Sequence, residues 1–151
     1  MAIEYRLVLA GDLAAEQLAD RAFPCPADRA AFTPYGAGLG ADLHDRYGFT
    51  VSVTVGRNGY VGAEADDGQW EWEPDPYARL SLRMDKETLV EQGIPNMLDV
   101  VTRVLRSTTQ DAALVANADH LLLVRKHGVV RKHHRSMWWD HYPFANPAIP
   151  G

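Results

Sequence analysis

Between Phe49 and Gly56 the chain reads F-T-V-S-V-T-V-G. Phe49, Val51, Val53 and Val55 alternate with Thr50, Ser52 and Thr54. A period of two puts the first set on one side of a strand and the second on the other. One apolar and one wet face is the pattern of an antiparallel sheet covered on one side. The same alternation recurs at Ile3, Tyr5, Leu7 and Leu9, with Glu4 and Arg6 opposite. It recurs again at Ala78, Leu80, Leu82 and Met84, with Arg79, Ser81 and Arg83 opposite. Such strands need helices on their apolar side.

Two segments supply them. "LAAEQLADRAF" follows Gly11-Asp12, where Asp12 is placed to cap, and it turns Ala14, Ala15, Leu18, Ala22 and Phe23 inward. Ile94, Met97, Leu98, Val101, Val104 and Leu105 recur at helical spacing, with Pro95 in the first turn. Asp99 and Arg103 are spaced as an i,i+4 pair on its wet side. Before it, Asp85 is positioned to cap a short helix, "KETLVEQ", ended by Gly93. Asn58-Gly59 and Asp66-Asp67-Gly68 mark turns, "QWEWE" a short strand, and "AALVANADHLLLV" two strands about Asn117–Asp119. Pro24 to Gly48 is punctuated by Pro and Gly and reads as a long connection with a turn of helix in "ADRAAF". The expected fold is α+β, an antiparallel sheet of about five to seven strands with two main helices on one face. A single domain is expected over residues 1–143, with a loose Pro-rich tail at 144–151.

Composition excludes several classes. The lone Cys25, between two prolines, gives no disulfide framework and reads as a loop thiol in a reducing compartment. No run approaches the roughly 18 apolar residues of a membrane span. The N-terminal "MAIEYRLVLAG" alternates and has no basic lead, so a cytoplasmic location is expected. Residues 1–100 hold 8 Lys+Arg and 17 Asp+Glu, a balance of −9; residues 101–151 hold 7 and 3, a balance of +4. A dominant basic surface for nucleic acid is absent, and the acidic part favours a basic partner.

Candidate sites follow from residue type and spacing. "YGAGLGAD" is Gly-rich, but no strand-to-helix phosphate motif surrounds it. His120, His127, His133, His134 and His141 cluster late without zinc-site spacing, and no metal or cofactor is expected. A metal-dependent hydrolase built on His127, His133, Asp140 and His141 is the enzymatic alternative. Glu71 and Glu73 share one face of a strand and Trp70 and Trp72 the other, beside the Asp66-Asp67 turn. Aromatic anchors within a charged rim are the composition of protein-binding hot spots, so Asp66, Asp67, Trp70, Glu71, Trp72 and Glu73 are the candidate partner surface. "VRKHGVVRKHH", from Val124 to His134, reads as a hairpin with Lys126-His127-Gly128 as its loop. In that register Leu122, Val124 and Val130 face the core, while Arg125, Arg131 and His133 form a basic outer face. Nucleic-acid binding by this 124–135 hairpin is a further alternative.

"MAIEYRLVLAG", "LSLRMDKE" leading into "NMLDVVTRVL", "DAALVANADHLLLVRKHG" and "MWW" together resemble bacterial immunity proteins of the Sit type. These form the third class among swarm-inhibition toxin–immunity pairs, found in myxobacteria and actinobacteria. The blocks span about half of the chain and are mostly structural residues. The resemblance implies a non-catalytic protein that binds and neutralises a cognate toxin in the cytosol. It supplies no catalytic motif and no counterpart for Glu64–Asp75.

Overall fold

The alternating segments pair edge to edge. In the computed structural model, which describes residues 2–151, ten strands form one sheet. They are β1 (Ala2–Ala10), β2 (Thr33–Tyr35), β3 (Gly38–Leu43), β4 (Phe49–Gly56), β5 (Val61–Ala65), β6 (Gly68–Trp72), β7 (Tyr77–Asp85), β8 (Ala112–Ala116), β9 (His120–Lys126) and β10 (Val129–Lys132). Their order is β2-β3-β4-β7-β1-β8-β9-β5-β6, with β10 also on β9. All pairings are antiparallel except a single parallel bridge, Glu64 to His120, between β5 and β9. The α+β class stands, but ten strands exceed the five to seven expected. One reason is that the Pro24–Gly48 connection is itself structured: it holds α2 (Pro26–Ala30), β2, β3 and α3 (His44–Tyr47), which extend the sheet beyond β4.

α1 (Ala15–Ala22) and α4 (Ile94–Ser107) cover one face. The odd residues of β1 and β4 and the even residues of β7 point into this core, as their alternation dictates. α4 buries Ile94, Met97, Leu98, Val100, Val101 and Val104, each such aliphatic side chain contributing about 1.5–3 kcal/mol. Asp12 does not cap α1; the exposed first turn is closed by Gln17, whose Oε1 accepts the Ala14 N–H at 2.9 Å. Nor does Asp85 cap a helix, since its carboxylate bonds His44 Nε2 at 2.8 Å. "KETLVEQ" is a 3₁₀ turn followed by a π turn that runs straight into α4. Gly93 therefore stays inside the helical path, where a Cβ would meet Met84 Sδ at 2.7 Å. Arg103 does not pair with Asp99; its Nε donates to Ala22 O at 2.9 Å and closes the end of α1.

A second, smaller core lies on the opposite face. Ala63 and Ala65 of β5 are buried with Ala113, Val115 and Leu121, and Val61, Trp70, Trp72 and Val124 pack around them. The β5–β6 hairpin thus folds over half of the second face. The other half, over β3, β4, β7 and part of β1, stays open.

The 124–134 segment is a hairpin in another register. His127 and Gly128 alone form the loop, both with positive φ (52° and 80°), the geometry of a two-residue type I′ turn. Val130 pairs with Arg125 and Arg131 with Val124. The phase of β9 shifts at its bulge, so Arg125 points toward the end of α4 instead of outward, on the same side as its partner Val130. The bulge is at Leu122, where Leu114 faces Leu123 but Val115 faces Leu121. Of the expected basic face, Arg131 alone is exposed, while Arg125 and His133 are both 5% accessible. Residues 144–151, expected to be loose, include the buried Ala145 and Ile149, and Asn146 Oδ1 accepts from Lys132 Nζ at 3.0 Å.

Candidate functional site

The β5–β6 hairpin carries the expected partner surface. Ala63 pairs with Trp70 and Val61 with Trp72, so both indoles lie over the small core, half-buried, with centroids 6.0 Å apart. Glu71 and Glu73 project the other way and are exposed, as the alternation required. The Glu71 carboxylate accepts the Tyr60 hydroxyl at 3.1 Å. Asp67 is exposed at the turn. Trp70 and Trp72 also line a cleft of about 130 Å³ with Asp111, Val124 and Lys126.

Asp66 has a structural task as well. Its Oδ1 accepts the His134 N–H at 2.8 Å, and its own N–H donates to His133 Nδ1 at 3.2 Å. These bonds tie the tip of the β5–β6 hairpin to the chain leaving β10. The His134 N–H, reinforced by the neighbouring His133 and His134, holds the Asp66 carboxyl below its ordinary range. Burial pushes the His133 imidazole down, and Asp66 only partly offsets this. His133 accepts at Nδ1, so protonation there removes the acceptor. Its depressed value means that the unfolded chain takes up the proton first, near pH 6.5. The stabilisation is therefore complete above that pH and is lost as pH falls below it; the Asp66 contribution persists until far more acidic pH. The melting temperature is expected to drop by about 2–4 °C between pH 7.5 and 5.5, the effect of roughly 1 kcal/mol in a chain this long. The His133→Asn variant, which keeps an acceptor but cannot titrate, should show a flatter profile. An equal slope in the variant contradicts this account.

His120 and His134 lie edge to face with centroids 5.4 Å apart, but the four residues of the hydrolase alternative do not converge. His127 sits at the exposed turn tip, His133 is buried, and Asp140 and His141 are exposed on a 3₁₀ turn. Among the described residues, no three His, Cys, Asp or Glu side chains lie close enough to share a metal ion. His127, His133, Asp140 and His141 are thus not brought to one point. The hairpin alternative loses its basic face to the register described above. Next to that hairpin, Trp139 is 1% accessible, and Trp138 packs on Tyr5, Trp139 and Tyr142.

One surface was missed from the sequence. The wet sides of β3, β4, β7 and β1 lie next to one another and form rows across the open face. Asp42, Thr50, Arg83 and Glu4 make one row, and Gly40, Ser52, Ser81 and Arg6 the next. Gly38, Thr54, Arg79 and Val8 make the third. Short side chains on the floor leave a hollow of about 430 Å³ walled by Tyr35, Glu4 and Arg83. A separate hollow of about 220 Å³ lies beside Arg6, Arg79, Tyr60 and Val61. The signal was present as three separate runs of outward polar residues, but only strand order makes them one surface.

One sheet, helix-covered on one side and half open on the other, defines a small α+β protein. The chain belongs to the SitI3-like family, whose model matches residues 3–143. The membership agrees with the Sit-type resemblance and points to an immunity-type protein. No curated protein and no solved structure gives a match. Among the described residues, no helix is long and apolar enough to cross a membrane.

Proposed function

We propose that this protein is a non-catalytic cytoplasmic immunity protein that binds and neutralises a cognate bacterial toxin. The family match over residues 3–143 carries the reading. The β5–β6 hairpin supports it: Trp70 and Trp72 are partly exposed on one face, while Glu71 and Glu73 on the other face join Asp66 and Asp67 of the turn in an acidic surface suited to a basic partner. No cofactor enters the proposal.

Co-expression with a toxin-like protein encoded beside its gene is expected to restore growth, and the two proteins should co-elute on size exclusion. Trp72→Ala should weaken the complex by about thirtyfold, the effect of a hot-spot aromatic, and Glu71→Lys by about tenfold, mainly through slower association. Growth arrest that persists with the wild-type chain, together with absence of a complex, overturns the proposal.

A further inference from the structure

We propose that β6 is a docking edge, where a protein partner adds an extended strand whose side chains alternate between cationic and aliphatic. The inference rests on the immunity reading, in which the toxin supplies that strand.

β6 ends the sheet, and among the described residues no strand pairs with its outer edge. The phase of its pairing with β5 fixes which groups face outward. Glu64 donates its N–H to Asp119 O at 2.7 Å and accepts from His134 Nε2 at 2.8 Å, neither of them on β6. Opposite residues of an antiparallel pair either exchange two hydrogen bonds or turn both groups away. Gln69, the partner of Glu64, and Glu71, two residues on, therefore turn their N–H and C=O away from β5. No turn or loop backbone takes up these four groups. The other edges are guarded. β2 has three residues with Pro34 at its centre. The chain end lies on β10, where a Cβ on Gly151 would meet Val130 O at 2.6 Å. β6 has neither a proline nor such a cover.

Charge and shape select the occupant. Between Arg57 and Arg79 stand Glu64, Asp66, Asp67, Glu71, Glu73 and Asp75, and no Lys or Arg. Glu71 and Glu73 are exposed and make no ion pair among the described residues. A strand laid along β6 sets every second side chain beside them, where Lys or Arg is attracted and Asp or Glu repelled. A second copy of this chain offers its own Glu71 and Glu73, so self-pairing is disfavoured. The remaining side chains of the added strand fall on the Trp face. There the cleft of about 130 Å³ lies between Trp70 and Trp72 and the residues Ala112 and Val124. Glu71 borders it too, although its side chain projects from the opposite face, which places the cleft at the β6 edge. Asp111 and Lys126 line it with opposite charges, and the Arg125 guanidinium is turned to the end of α4. Such a cleft suits an aliphatic side chain. Main-chain hydrogen bonds then give affinity, and the alternation of side chains selects the partner.

The test is an NMR titration of the full chain with a capped peptide of alternating Lys and Val. Amide shifts are expected at Gln69–Glu73, with slowed exchange of the Gln69 and Glu71 N–H. The same peptide with Glu in place of Lys should give neither. Two N-methylated peptides, one blocked at every Lys amide and one at every Val amide, each lose the donors of one edge. One should fail to bind and the other should bind as before. Gln69→Pro removes one outward donor at unchanged charge, in an edge position that tolerates proline. It should weaken binding by about tenfold, the effect of one hydrogen bond. The N-methylated pair decides the matter without any change to the protein. No shift at Gln69–Glu73, equal binding by the N-methylated pair, or dimerisation of the free chain through β6 overturns strand addition. Full protection against the toxin by a folded Gln69→Pro variant, with unchanged affinity, sinks strand addition and leaves the immunity reading standing. Failure of the wild type to protect sinks that reading, and the peptide titration still decides the edge.

Discussion

Replacing Arg125 with Met is expected to cost about 3–5 kcal/mol of folding stability, a loss on the scale of breaking a buried charged network. The guanidinium is buried, and its donors all point to the end of α4. Nε donates to Gln110 O at 2.8 Å, and Nη1 to Leu105 O at 2.6 Å and Thr108 O at 3.1 Å. Nη2 donates to Thr108 Oγ1 at 2.8 Å. The last carbonyls of a helix have no intrahelical donor, and here one side chain from β9 serves the end of α4 and the loop beyond it. Met fills a similar volume but leaves three carbonyls unpaired away from water, each worth about 1–3 kcal/mol. Burial depresses the guanidinium's pKa, yet it stays charged. The Arg125→Lys variant should recover less than half of the loss, because an ammonium cannot reproduce the fork. Urea unfolding measures both: the midpoint should fall with the slope unchanged. A Met variant within about 1 kcal/mol of wild type contradicts the capping role.

The second large effect is expected at Trp139. Its indole is among the largest fully buried side chains, and its N–H donates to Leu122 O at 2.8 Å, at the β9 bulge. The Lys132 ammonium lies 4.7 Å from the ring centre, and the Trp138 ring packs edge-on at 4.7 Å. Trp139→Ala should cost about 3–5 kcal/mol through cavity formation. It also strips the Lys132 ammonium, whose pKa burial already lowers, of the ring beneath it. Trp139→Phe keeps most of the volume and leaves the Leu122 carbonyl with the His133 N–H as its remaining donor, for a loss of about 1 kcal/mol. Limited proteolysis should cut the Ala variant first within residues 143–151, since Ala145 and Ile149 share that core. Equal stability of the Ala and Phe variants is the result that contradicts this picture.

Legibility tracked the range of the interaction. β1, β4 and β7 were readable because a half-buried strand prints its two faces into every second residue, and α4 because its apolar stripe repeats at helical spacing. Within the β5–β6 hairpin, the opposition of Glu71 and Glu73 to Trp70 and Trp72 was readable for the same reason. β2 and β3 were not. Gly38 is set by close approach, since a Cβ there would meet Val53 O at 1.8 Å. Glycines placed by a neighbour's backbone carry no periodic signal, and the segment resembled a loop. Asp12, Asp85 and the Asp99–Arg103 pair had the right local chemistry, but competing contacts decided otherwise: Gln17 closes α1, His44 takes Asp85 and Ala22 O takes Arg103.

By itself, then, the sequence determined which residues lie on the same face of each strand and helix, because that depends on local backbone periodicity alone. Two matters were left to the tertiary structure. The first is the phase of β9: one bulge turned Arg125 from a surface cation into the cap of α4. The second is strand order. Thr50, Ser52 and Thr54 were legible as outward, as were Arg79, Ser81 and Arg83, and Glu4 with Arg6. Only the order β3-β4-β7-β1 sets them side by side, because hydrogen-bonded pairing joins residues far apart in the chain. The open face exists through that pairing, and no single segment of the sequence contains it.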